Sequence, residues 1–214
     1  MTENGWLACA DPKPMLEYLR GKVSDRKLRW FMVACCRWAW EQLTLPESRQ
    51  IVVAVEASID QLLGDVGIAL AARTPTKNRL GGGNQLVRYL VEEDAQAGGR
   101  SMAIMAPRTC VTRQQHTWGT GYKALSQIAR DIFNPFRPVT ASPACLTAQV
   151  VAVAQAAYDE RKLPWGILDV ARLMVLADAL EDAGCDQADL LGHLRSPGPH
   201  VRGCWAVDLI LGKE

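Results

Sequence analysis

Residues 24–43, SDRKLRWFMVACCRWAWEQL, form the most apolar long run in the chain and predict its central helix. Apolar side chains recur there at spacings of three and four, as they do on one face of a helix. They are Leu28, Phe31, Met32, Cys35, Ala39 and Leu43. Trp30, Ala34 and Trp38 add a second apolar stripe beside the first. A helix that is apolar almost all round either crosses a membrane or lies at the centre of a folded core.

Charged side chains in the same run decide between these two possibilities. Arg26, Lys27, Arg29 and Arg37 lie within it, and that many basic groups are too costly for one membrane span. We therefore predict a core helix that begins after Ser24, with the arginines on a narrow polar stripe. Arg37 is expected to pair weakly with Glu41, four residues further along the helix surface.

Length and composition set the class of protein. The chain has 214 residues, 49% of them hydrophobic, which is enough for one good core or two small lobes. The first ten residues lack the basic and apolar regions of a signal peptide, so a cytoplasmic location is expected, without membrane association. Seven cysteines, an odd number with no C-x-x-C spacing, are expected to be reduced thiols.

Helical periodicity continues along the rest of the chain, and no alternating strand pattern of useful length occurs. We predict an all-α protein, a compact bundle of roughly seven to nine helices. One long middle segment interrupts it, with a Gly-rich loop at residues 74–84 and a loss of periodicity at residues 98–121. The sequence TLPE at residues 44–47 is typical of a capping box at the start of a helix.

Domain organisation is expected to be a single helical domain over residues 1–214, with two possible sub-lobes. They would be residues 1–134 and 139–214, joined at the Pro-rich stretch 134–138. Residues 1–137 hold 18 basic and 13 acidic side chains, net +5, whereas residues 138–214 hold 6 and 10, net −4. This split indicates two halves that dock through complementary charge, or else a basic face for an anionic partner.

Four side chains near the C-terminus have the chemistry of a zinc site. Cys185, His193, His200 and Cys204 follow the spacing C-x7-H-x6-H-x3-C, and zinc takes four Cys or His ligands tetrahedrally. A Pro-Gly-Pro turn at residues 197–199 could bring the two pairs together, with separations near 3.5–4 Å around one ion. The alternative is that both cysteines are small buried apolar residues and the histidines lie at the surface.

Other candidate sites are weaker. Cys35 and Cys36 are adjacent on the core helix and point about 100° apart, so they are expected to pack rather than to bind a metal. The basic N-terminal helices resemble a nucleic-acid surface only loosely, because acidic residues interrupt them. Phosphate-loop, H-E-x-x-H and G-x-S-x-G motifs are absent from the sequence.

Several blocks of sequence resemble an uncharacterised family of bacterial proteins. The blocks are WLACADP (6–12), PMLEYLRGK (14–22), SDRKL (24–28), NPFRPV (134–139), LADALEDAGC (176–185), PGPHVRGCW (197–205) and DLILGK (208–213). They cover both ends of the chain, whereas residues 64–121 depart from the Ala- and Trp-rich pattern of that family. The resemblance implies an ordered domain but no activity, cofactor or functional residue.

Three functions are therefore expected in turn. The first is a non-catalytic helical module for protein interaction or structure, whose partner is another protein or a second copy of the chain. The second is a small zinc-binding protein that uses the C-terminal cysteines and histidines. The third is an enzyme of unknown reaction, which would need a polar pocket lined by groups with shifted pKa values.

Overall fold

The computed structural model describes residues 1–60, 82–109, 121–136 and 139–213. In these ranges the chain forms eleven α-helices and no β-strand, so the predicted all-α class is confirmed. The helices are α1 (Glu3–Ala8), α2 (Pro12–Leu19), α3 (Asp25–Trp38), α4 (Pro46–Ser58), α5 (Leu86–Leu90), α6 (Ala95–Thr109), α7 (Gly121–Ile132), α8 (Ala148–Asp159), α9 (Val170–Asp182), α10 (Ala188–Leu194) and α11 (Trp205–Leu211). They outnumber the seven to nine expected, because short helices such as α1 and α5 show no clear periodicity in sequence.

The chain divides into two compact units, Met1–Ala129 and Arg130–Glu214, and the boundary falls within α7. The N-terminal unit is built around α3, which packs against α4, α5 and α6. In the C-terminal unit, α8 packs against α9 and α11, and α9 also contacts α10. The organisation into sub-lobes joined at residues 134–138 stays a prediction.

Helix α3 is the predicted core helix. Ser24 is its N-cap, and the Ser24 hydroxyl accepts a hydrogen bond from the Lys27 backbone N–H at 3.3 Å. Trp30, Phe31, Met32, Cys35 and Cys36 are all fully buried. The two adjacent thiols therefore lie within apolar packing, as expected. The helix ends at Trp38, and a 3-10 turn (Trp40–Gln42) follows it.

Arg37 does not pair with Glu41, and that prediction is wrong. Because α3 ends before Glu41, the two residues do not lie four apart on one helix surface. Arg37 instead forms a buried ion pair with Glu56 of α4, and both side chains are about 95% buried, at 5% and 4% exposure. The Arg37 guanidinium also lies 4.8 Å from the Trp40 ring centroid.

Arg29 is also buried, at 8% exposure, and not on an open polar stripe. Its guanidinium donates to the carbonyl oxygens of Leu90 at 2.8 Å and Glu93 at 3.0 Å. Burial lowers the pKa of Arg29, and neighbouring carboxylates oppose that effect. Arg29 and Arg37 therefore hold the N-terminal unit together and do not contribute to an exposed basic surface.

The helix start at residues 44–47 differs from the expected capping box. Leu45, and not Thr44, is the N-cap residue of α4, and no side chain caps the helix there. The Thr44 hydroxyl instead accepts from the Asn84 side-chain amide at 2.9 Å, and Asn84 Oδ1 accepts from the Leu45 N–H at 3.1 Å. A tertiary contact thus takes the place of the local cap.

Residues 98–109 lie in α6, so the expected irregular structure is wrong over this range. A Cβ atom added to Gly98 would lie 2.5 Å from the Tyr89 carbonyl oxygen, and one added to Gly99 would lie 3.4 Å from Leu28. Small residues are required here for close packing, and they hide the apolar period that indicates a helix. Residues 74–81 and 110–120 lie outside the described ranges, and Gly82–Gln85 forms a 3-10 turn.

None of the described helices combines the length and the apolar character needed to cross a membrane. The expected cytoplasmic location stays a prediction.

The buried ion pair between Arg37 and Glu56 makes a testable prediction. Glu56→Ala should lower the free energy of unfolding by about 3–5 kcal/mol, because Arg37 is left as an unpaired buried charge. Urea unfolding measures this loss. The double variant Arg37→Met with Glu56→Leu should recover most of it.

The matched control is Glu17→Ala, which removes an exposed carboxylate 3.9 Å from Lys13. It should cost no more than about 0.5 kcal/mol. Equal losses for Glu17→Ala and Glu56→Ala would contradict a structural role for the buried pair.

Candidate metal centre

Four side chains of the C-terminal unit converge on one point. Asp131, His193, His200 and Cys204 each offer one ligand atom, and these atoms all lie within 4.8 Å of one another. Asp131 is in the last turn of α7, His193 is in α10, His200 is in the loop before α11, and Cys204 is the N-cap of α11. We call these four residues the ligand group.

The loop PGPHVRGCW at residues 197–205 sets the positions of His200 and Cys204. Gly198 has φ of 82° and Gly203 has φ of 92°, left-handed values that glycine adopts at no steric cost. A Cβ atom on Gly198 would lie 2.8 Å from the His200 backbone nitrogen. The Cys204 N–H donates to the Val201 carbonyl oxygen at 3.0 Å, which closes a tight turn between the two ligands.

Hydrogen bonds fix the orientation of the His200 ring. His200 Nε2 lies 3.1 Å from the Ser196 carbonyl oxygen and 3.2 Å from the Ser196 hydroxyl. A carbonyl oxygen only accepts, so Nε2 carries a hydrogen. Metal-binding histidines are commonly held in this way, with the second ring nitrogen donating to a backbone carbonyl. His200 Nδ1 is thereby directed at Asp131 Oδ1, 2.7 Å away.

The two carboxylate oxygens of Asp131 have different partners. Oδ2 accepts from the Val201 backbone N–H at 2.8 Å. Oδ1 faces the imidazoles, 2.7 Å from His200 Nδ1 and 3.1 Å from His193 Nε2. The carboxylate is 3% exposed. Its orientation is therefore set by the backbone on one side, and its other oxygen points into the ligand group.

His193 and Cys204 complete the group. His193 Nε2 lies 3.2 Å from Cys204 Sγ, and the Cys204 side chain is fully buried. The His193 ring packs against Trp205, with 4.7 Å between the ring centroids. His193 is the most accessible member, at 17% side-chain exposure. The group is thus closed on three sides and only partly open at His193.

The electrostatics of Asp131 and His200 are strongly coupled. Burial by itself raises the pKa of Asp131, but the His200 and His193 imidazoles outweigh it and hold the pKa far below its ordinary value. Burial also lowers the pKa of His200, but the Asp131 carboxylate and the Ser196 carbonyl reverse that effect, and the net pKa is raised. A positive charge is therefore favoured at the point where Asp131 Oδ1 and His200 Nδ1 meet.

The ligand group contains three of the four residues expected from sequence. His193, His200 and Cys204 come together, and their spacing is that of the loop and the two helices around it. Cys185 lies outside the group. It follows the end of α9 and belongs to the apolar core of the C-terminal unit, where Cys185 and Cys145 are each 5% exposed. Burial and the neighbouring Cys185 thiol raise the pKa of Cys145.

Asp131 is the member that sequence reasoning missed. It lies 62 residues before His193 and 69 before His200, too far for a spacing argument. One signal was present. Asp131 follows Ala124 and Ile128 at the helical spacing of the buried face of α7, where a carboxylate needs a partner.

An open cleft of about 750 Å³ lies elsewhere on the C-terminal unit. It is lined by Glu181, Gly184, Cys185, Asp186, Ala188, Leu191, Gly192 and Arg195. Arg195 donates to Glu181 Oε1 at 2.9 Å and to Asp178 Oδ1 at 2.7 Å, and this pairing raises the pKa of Arg195 and lowers that of Glu181. The charged groups here neutralise one another, as on a solvated surface.

The glycine that shapes the loop makes a second prediction. Gly198→Ala should lower the free energy of unfolding by at least about 1–2 kcal/mol, because alanine is strained at positive φ and its Cβ would displace His200. Gly192→Ala is the matched control, since no atom lies within 4 Å of the added Cβ in α10. It should raise stability by about 0.5–1 kcal/mol, as measured by urea unfolding. A neutral Gly198→Ala would contradict this geometry.

Comparison of the chain with protein-family models, with curated proteins and with solved structures gives no match. The resemblance to a bacterial family therefore stays a prediction, and function has to be argued from the ligand group itself.

Proposed function

We propose that this protein binds one zinc ion through Asp131, His193, His200 and Cys204, and that the ion has a structural role in the C-terminal unit. The observation that carries the proposal is the convergence of four ligand atoms within 4.8 Å in a mostly buried position. This retains the zinc site expected from sequence, with Asp131 in the fourth position.

The donor set favours zinc over other common ions. One thiolate, two imidazoles and one carboxylate are all ligands that Zn²⁺ accepts in tetrahedral sites. Mg²⁺ and Ca²⁺ prefer oxygen ligands, in sites with six or more donors. A tetrahedron with bonds of about 2.0–2.3 Å places its ligand atoms roughly 3.3–3.8 Å apart. The 3.2 Å between His193 Nε2 and Cys204 Sγ needs only a small adjustment to meet this.

Charge also favours a divalent ion. An ionised Asp131 and a Cys204 thiolate carry two negative charges, and two neutral imidazoles carry none. A Zn²⁺ ion makes the buried group neutral, and buried charges are tolerated when they are paired or coordinate a metal. His200 already has its Nε2 hydrogen held by Ser196, so its Nδ1 lone pair is oriented for coordination.

The number of protein ligands supports a structural role for the ion. Structural zinc sites have four protein ligands, whereas catalytic sites keep one position for water or substrate. The four ligands here come from α7, α10, the loop after α10 and the start of α11. A bound ion would link these four segments, each of which is short or irregular near the site.

Two other functions stay predictions. Binding of another protein, or self-association, has no specific surface to support it beyond exposed apolar side chains such as Met174 and Val175 of α9. An enzymatic reaction would need a polar pocket, and the charges of the described cleft are already paired around Arg195. The zinc site is therefore the function with the most direct geometric support.

Metal content is the first test of this proposal. Protein purified without chelator should contain about one zinc ion per chain by elemental analysis. Cys204→Ala should abolish this content, whereas Cys185→Ala should retain it. Both substitutions remove one buried thiol of the same unit, so Cys185→Ala is a matched control. Absence of zinc in the unsubstituted protein, or its loss in Cys185→Ala alone, would contradict the proposal.

The effect of the metal on stability is a separate prediction. A ligand that binds only the folded state stabilises it by about 2.7 kcal/mol at a hundredfold excess over Kd, and by about 4.1 at a thousandfold excess. A strong chelator should therefore lower the thermal midpoint of the unsubstituted protein, and added zinc should restore it. Cys204→Ala should show neither response. Equal midpoints with and without chelator in the unsubstituted protein would count against a structural ion.

A further inference from the structure

A buried phenol lies directly behind the thiolate of the ligand group. Tyr158, in the last turn of α8, is fully buried. Its hydroxyl oxygen lies 2.7 Å from Asp208 Oδ1, 3.2 Å from the Gly203 backbone nitrogen and 3.3 Å from the Cys204 carbonyl oxygen. These contacts join α8 to the first turn of α11 and to the two residues at the turn before it.

The direction of each hydrogen bond follows from the groups present. The phenol has one hydrogen, and the shortest contact assigns it to the Asp208 carboxylate. The Gly203 N–H donates to the phenol oxygen, because an N–H cannot accept. Burial and the Asp208 carboxylate raise the pKa of Tyr158 well above its ordinary value, so the hydroxyl keeps its hydrogen at neutral pH.

The backbone around Cys204 depends on this arrangement. Gly203 is in a left-handed conformation, with φ of 92°, and Cys204 is the N-cap of α11, where no side chain caps the helix. Tyr158 holds the residue before the thiolate through its N–H. Through Asp208 it also holds the first turn of the helix that Cys204 begins. Both sides of Cys204 are therefore tied to α8.

We propose that Tyr158 is a positioning residue for the zinc site, acting with Asp208 to hold Cys204 Sγ in the geometry that the ion requires. This inference rests on the zinc site proposed above. Groups behind the ligands of a metal site typically change metal affinity by about 10- to 100-fold when they are removed. Tyr158 is not itself a ligand, because its hydroxyl is directed at Asp208 and the backbone.

The test compares Tyr158→Phe with Tyr18→Phe. Both substitutions remove one phenol hydroxyl, and Tyr18 lies in the N-terminal unit with its ring below the Lys22 ammonium. Zinc affinity is measured by competition with a chromophoric chelator, and the geometry is followed by the absorption of the Co²⁺-substituted protein. Tyr158→Phe should weaken zinc binding by about 10- to 100-fold and shift the thiolate-to-cobalt band. Tyr18→Phe should change neither.

A purely structural role for Tyr158 gives a different result. It would lower the stability of the zinc-free protein but leave the zinc Kd and the cobalt spectrum unchanged, and that outcome overturns the inference. Asp208→Asn serves if Tyr158→Phe fails to fold. It keeps an acceptor oxygen but removes the charge, so it should weaken zinc binding less than Tyr158→Phe does; an unchanged Kd would overturn the inference. Failure of the unsubstituted protein to bind zinc or cobalt would instead reject the proposed function.

Discussion

The buried carboxylate of Asp131 is the constraint on which the C-terminal unit depends. An isolated ionised carboxylate is very costly to remove from water unless it is paired, hydrogen-bonded or bound to a metal. Here one oxygen is satisfied by the Val201 N–H, and the other faces His200 Nδ1 at 2.7 Å. Since the hydrogen of His200 Nε2 is used by Ser196, either a second proton or a metal ion must lie between Nδ1 and the carboxylate.

Several local features of the sequence are explained by this requirement. The left-handed glycines of the loop bring His200 and Cys204 to Asp131, and the loop backbone itself donates to the carboxylate. The Tyr158 and Asp208 pair then supports the loop from the opposite side. A proton at His200 would satisfy Asp131 alone. A zinc ion would also account for the approach of His193 Nε2 to Cys204 Sγ, which the Asp131–His200 pair does not require.

Local patterns in the sequence predicted much of the fold. The periodicity of residues 24–43 and the Ser24 cap were enough to place α3, because both are properties of one segment. The partner of Arg37, the role of Thr44 and the helix at Gly98 and Gly99 were not predicted correctly. Each depends on contact with a residue distant in sequence: Glu56, Asn84 and Tyr89, respectively.

The candidate site shows the same division. His193, His200 and Cys204 lie within twelve consecutive residues of a loop and its flanking helices, so their spacing was informative. Cys185 had a plausible spacing, but it belongs to the apolar core with Cys145. Asp131 could be placed only by the packing of α7, although a carboxylate on the buried face of an amphipathic helix was a signal in the sequence.

X-ray absorption and anomalous diffraction at the zinc edge, on zinc-loaded crystals, test the central claim most directly. The account predicts one anomalous peak bonded to Asp131 Oδ1, His193 Nε2, His200 Nδ1 and Cys204 Sγ. It also predicts one sulfur neighbour at about 2.3 Å and three nitrogen or oxygen neighbours at about 2.0–2.2 Å. The absence of a peak there, or a peak at Cys145 and Cys185 instead, would contradict it.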